Sequence, residues 1–166
     1  MRNLVAIPLL GLVVIAQSAI VPAFSMLAGY ADVMLVLLAA WALQEGVNTA
    51  FQWAFLGSLM ISFVSHLPWF IYLGGYVGVV TLARLLQRRV WQVPLLAMFT
   101  VTFLGTILMH VLSFTYLRLF GSPLSLSDSM GLVTLPSVLL NLLIAIPMFG
   151  IMRDLARWVF PRAEAA

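Results

Sequence analysis

Hydroxyls and imidazoles recur at helical spacing in a chain that otherwise offers little chemistry. Thr102, Thr106 and His110 follow one another at steps of four, with Ser113 three further on, and Ser58, Ser62, Ser65 and His66 share a second stripe. Asp32 opens the run ADVMLVLLAAWAL, and LPSVLLN, residues 135–141, sets Ser137 and Asn141 one turn apart behind Pro136. An imidazole can titrate near neutral pH or ligate a metal, and His110 is the residue to test for either role. A carboxylate at a helix start caps free N–H groups and suits the helix dipole, which is the plainer reading of Asp32.

Enzyme signatures are missing where they would be easy to see. The two histidines are not within helical reach of each other, and no HExxH, Gly-x-Ser-x-Gly elbow or Gly-rich phosphate loop occurs. Asp32 and Asp128 do not lie deep in a run, as a membrane aspartyl pair would. With no Cys, thiolate metal sites and disulfides are excluded. The expectation is a non-enzyme with no cofactor and no metal.

What must position these groups is set by composition. Of 166 residues, 64% are hydrophobic and 8% charged, with mean hydropathy +1.14. A soluble domain would carry about a quarter charged residues to keep its surface wet. The solvent is therefore mostly lipid, and the net charge of +3 speaks of membrane orientation, not nucleic acid.

Six apolar runs, at about 4–24, 31–44, 47–64, 68–86, 93–119 and 131–159, are separated by short breaks with turn residues. An all-α, polytopic membrane protein of six transmembrane helices in one domain over 1–166 is the simplest reading. The second run is either a short span or half of a re-entrant hairpin with the third, since fourteen residues give about 21 Å of helix against a core of about 30 Å. The first run has parts of a signal peptide, but the five runs behind it favour an uncleaved anchor, with Ala19 and Ala23 as a small pair for close packing.

Cytoplasmic helix ends collect Arg. Arg2, the cluster Arg84, Arg88 and Arg89, and Arg153, Arg157 and Arg162 all fall on one side if both termini are cytoplasmic; Arg118 alone lies outside. The 84–89 cluster is read as that orientation signal, the other reading being a hold on anionic headgroups of membrane lipids. Four crossings between Arg2 and the cluster satisfy the parity.

Polar groups at membrane depth are costly unless they face protein or water. The two hydroxyl stripes are expected to face each other inside the bundle, with Gly74 and Gly78 giving another close contact between helices. Pro136 is harmless in the first turn of a helix, so the last helix is expected to begin near Leu135 with Thr134 as cap and to span about 37 Å by Val159. Residues 123–133 would then lie along the outer interface. The Asn141 amide needs partners, either on a neighbouring helix or on another subunit.

LPS followed by Asn four residues after the Ser, then an apolar run with the tail MRDLARWVFPR, resembles the C-terminal signature of the MreD rod shape-determining proteins. The length, the six-run layout and ADVMLVLLAAWALQEG after the first run are similar to that family as well. Members usually have Pro before the Asp, where Ala31 stands, and an Asp in the third run, where Ser58 and Ser62 stand. The resemblance implies a non-enzymatic scaffold subunit of the bacterial inner membrane, in the cell-elongation complex that makes peptidoglycan. It would associate with an MreC-like single-span protein and through it with MreB, RodA and a penicillin-binding transpeptidase. Asp32, Pro136, Ser137 and Asn141 are the residues expected to bind the partner's anchor. The family is also similar in fold to the membrane substrate-binding subunits of energy-coupling factor transporters. That alternative predicts an outward polar cavity among the third, fifth and sixth runs that reaches His110.

Overall fold

The computed structural model describes residues 6–19, 23, 27–89, 93–120 and 129–160. Arg2, Asp128 and Arg162 lie outside the described residues, as do residues 123–128 and the side chains of Arg88 and Arg89. Among the described residues there are six α-helices and no strand: α1 (Ala6–Ala19), α2 (Val33–Ala42), α3 (Ala50–Ser62), α4 (Trp69–Arg89), α5 (Pro94–Leu119) and α6 (Leu135–Val159). A π-helical turn, Ser129–Thr134, runs directly into α6.

Three of the helices are long and apolar enough to cross a membrane. At 1.5 Å per residue, the 21, 26 and 25 residues of α4, α5 and α6 give about 31, 39 and 37 Å, against a hydrocarbon core of about 30 Å. The others are shorter apolar helices of 14, 10 and 13 residues.

The shortest helix holds the centre. Every residue of α2 from Met34 to Ala42 is buried, and α1, α3, α4, α5 and α6 all pack on it. VMLVLLAAWA is apolar on all faces, so no orientation at a surface would satisfy it better than enclosure. Asp32 starts it, and the turn at its end uses Gly46 at φ +77°, a left-handed conformation that costs glycine nothing. Trp41 stacks on Trp53 of α3, with ring centroids 4.3 Å apart.

Hydrogen bonds and ring contacts sort the helix termini into two ends. At one, Gln87 of α4 donates to the carbonyls of Leu43 and Gln44, Arg84 donates to the carbonyl of Val47, and Phe160 lies 6.1 Å from Trp41. This arginine end therefore joins the C-terminal ends of α2, α4 and α6, including Arg153 and Arg157. At the other end, Gln17 of α1, Asp32 of α2, Tyr76 of α4 and Asn141 of α6 come together.

Two expected close contacts differ in the structure. Ala19 and Ala23 are exposed, and α1 docks on α2 and α3 through Ala6, Leu10 and Val13. Between α4 and α5 the tight positions are Gly75 and Gly78, not Gly74 and Gly78. A Cβ on Gly78 would lie 2.6 Å from Leu108, one on Gly75 would run into Met109, and one on Gly74 would sit at an ordinary 3.8 Å from Leu112. The helix rotation that seats Met109 in the bundle brings Gly75 to the contact line.

Candidate functional site

Asp32 is held from several directions. Its Oδ1 accepts the backbone N–H of Leu35 at 3.0 Å, the capping role expected of it, and the Tyr76 hydroxyl donates to Oδ1 at 3.2 Å and Oδ2 at 3.4 Å. Its own backbone N–H, free because it precedes the helix, donates to Asn141 Oδ1 at 2.7 Å. One turn earlier on α6, Ser137 Oγ accepts from the backbone N–H of Tyr30 at 3.1 Å, and Ala28 N–H reaches the carbonyl of Leu132 at 3.1 Å. Two stretches more than a hundred residues apart thus form one polar clasp.

The clasp depends on a close backbone approach at Gly29. A Cβ there would lie 2.6 Å from the Val133 carbonyl oxygen and 2.9 Å from both Pro136 Cβ and Ser137 N. Gln17 closes the α1 side by donating to the carbonyl of Ala31 at 3.1 Å and accepting from Val33 N–H at 2.8 Å. Asn141 Nδ2 donates to Thr106 Oγ1 at 2.9 Å, and the Thr106 hydroxyl donates onward to the Thr102 carbonyl at 2.7 Å. The amide that lipid could not satisfy is satisfied inside the chain.

For Asn141 these bonds favour the neighbouring-helix partner over one on another subunit, and Pro136 and Ser137 lie on the same enclosed face. All three are buried, Asn141 completely. Asp32 alone of the four keeps some exposure. The physical reason is the free N–H groups of Tyr30 and Asp32, which lie ahead of α2 and take up the α6 acceptors.

The two hydroxyl stripes do not face each other, because apolar α2 takes the centre and, with α4, touches both α3 and α5. Ser58 and Ser62 donate to the carbonyls of Phe55 and Leu59 in their own helix, each at 2.7 Å. Thr106 turns to α6 instead, and the buried Thr102 hydroxyl has no partner among the described residues. Thr134 holds the cap position ahead of Leu135, as expected, but its side chain does not cap α6 and lies 3.0 Å from His110 Nδ1. The chain from Ser129 to Thr134 is a π turn continuous with α6.

The far ends of the stripes do meet across a cavity. It has a volume of about 660 Å³ and is lined by Ser65 and His66 after α3, His110 and Ser113 of α5, Tyr72 of α4, Gln17 of α1, and Tyr30 and Asp32. Val133 and Thr134 close it on the α6 side, and Leu27, Ile61, Val64 and Leu117 add apolar wall. The Tyr72 and Ser65 hydroxyls are hydrogen-bonded to each other. No Arg is among the described lining residues, and the described residues include no group of three or more His, Cys, Asp or Glu able to hold a metal.

Gln17, Gly29 and Tyr76 belong to the site but were not singled out from sequence. Gln17 carried a signal, being an amide within an apolar run; Gly29 and Tyr76 acquire meaning only from what they meet. No protein-family model matches the chain, and no curated protein or solved structure does.

Proposed function

We propose that this chain is a non-enzymatic scaffold subunit of MreD type in the bacterial inner membrane, crossing six times with both termini cytoplasmic, and that it binds the membrane anchor of an MreC-like single-span protein. One observation carries the reading: the two segments that resemble the family, around Asp32 and around Ser137 and Asn141, are halves of the same clasp. A clasp of this kind fixes where α6 begins and which face it shows. Leu135, Leu139 and Leu143, at steps of four from the clasp down α6, are 61%, 59% and 73% exposed and form the surface assigned to the partner helix. The arginine end, with Arg84, Arg153 and Arg157, is the cytoplasmic end under this reading.

Co-purification with a co-expressed MreC-like single-span protein tests it. The wild type should recover the partner, and Leu139→Trp with Leu143→Trp should lose most of it while melting normally. No recovery by the wild type removes the scaffold reading, and equal recovery by the double variant removes the α6 face.

The cavity favours a second reading, a membrane substrate-binding subunit of energy-coupling factor type. Its volume lies within the range of about 300–1,000 Å³ common for small-molecule sites, and polar groups converge on it from several elements. A ligand that binds the native state raises its apparent stability, so a panel of vitamins should include one that shifts the melting temperature.

A further inference from the structure

The cavity beside the clasp contains a carboxylate that no described side chain neutralises. Asp32 lines it, and no cationic side chain pairs with Asp32 among the described residues. The groups that donate to it, the Leu35 and Met34 backbone N–H groups and the Tyr76 hydroxyl, are all neutral. Around the same space stand the rings of Tyr30, Tyr72 and Phe114. Aromatic faces attract cations, most strongly where water is thinned. At about 660 Å³ the space is of the size that small organic ligands occupy.

We infer that this cavity binds an ammonium group carried on an apolar body, with the Asp32 carboxylate as counter-ion, the tyrosine and phenylalanine rings around the cation, and the Ile61, Val64 and Leu117 wall against the apolar part. An aminolipid headgroup with its acyl chain and a free hydrophobic amine both present this chemistry. The inference deepens the cavity reading and is independent of partner capture.

The test uses the full chain in phosphatidylglycerol nanodiscs, with unfolding followed by tryptophan fluorescence. The probes are phosphatidylethanolamine doped into the discs, phenethylamine in solution, and N-acetyl phosphatidylethanolamine, which lacks the cation. A rise of about 5 °C at saturation is expected with at least one cationic probe and not with the acetylated one. Response to the lipid assigns an aminolipid, and response to phenethylamine alone assigns a soluble amine. Asp32→Asn, which keeps an acceptor for the Leu35 N–H, should weaken binding about tenfold. Ser113→Phe, which fills the cavity away from the clasp, should abolish it and serves if the Asp32 variant does not fold. No rise with either cationic probe, an equal rise with the acetylated lipid, or unchanged binding by Asp32→Asn or Ser113→Phe would overturn the proposal. Stabilisation by a neutral vitamin alone would overturn it too, while leaving the cavity reading standing.

Discussion

At the scale of single residues, the chain accommodates polar side chains among apolar helices by turning them to the free N–H groups of Tyr30, Asp32, Val33 and Leu35 ahead of and within the first turn of α2. Asn141 shows how the cost is distributed. In Asn141→Leu the Thr106 hydroxyl can still donate to the Thr102 carbonyl, but the Asp32 N–H loses its acceptor. Leaving a buried donor unpaired costs about 1–3 kcal/mol, whereas hydrogen bonds between membrane helices average about 0.6 kcal/mol. The loss should therefore approach the larger figure and appear as a lower unfolding midpoint in detergent; no change would mean that Asp32 N–H finds another partner. Gly29→Ala should be at least as harmful, because backbone atoms of Val133 and Ser137 stand in the way. Gly150→Ala, with open space around it, should be neutral or slightly stabilising in the same melts. Asp32, Ser137, Asn141 and Thr106 were legible from sequence as residues that lipid would not select, whereas Gln17 and Tyr76 were passed over. Their partners were not, since the acceptors answer to backbone N–H groups that every sequence has.

At the scale of elements, α2 explains most of what the sequence left open. A run of ten apolar residues without a polar face reads equally as a short span and as half of a hairpin, and its boundary residues decide neither. Enclosure by the other five helices is a tertiary fact, and it displaced α3 from α5 and left Ser58 and Ser62 bonded to carbonyls of their own helix. The second to sixth runs, by contrast, were readable to within about four residues of the helix ends, because breaks such as QEGVN contain the residues that turns require. Two experiments follow at this level. Ala40→Leu should cost about 1–3 kcal/mol by overpacking the centre, while Leu139→Ala on the exposed face of α6 should cost far less. Gln87→Leu removes the donor that satisfies the carbonyls of Leu43 and Gln44, so amide hydrogen exchange should speed up in the turn after α2 with little change at Asp32. Unchanged exchange there would show that the α4 side chain is not what holds this end.

At the scale of the whole molecule, the bundle has two chemically distinct ends. One gathers Asp32, Asn141, His110 and the cavity; the other gathers Arg84, Arg153 and Arg157. The proposed scaffold, with both termini cytoplasmic, requires the first end to face away from the cytoplasm. Because the chain has no Cys, single cysteines report sidedness without background. His66→Cys and Arg157→Cys are placed on exposed residues at opposite ends. With a membrane-impermeant maleimide on intact spheroplasts, the account predicts labelling at position 66 at once and at position 157 only after permeabilisation. Labelling at 157 in intact spheroplasts, or at both positions equally, would contradict it.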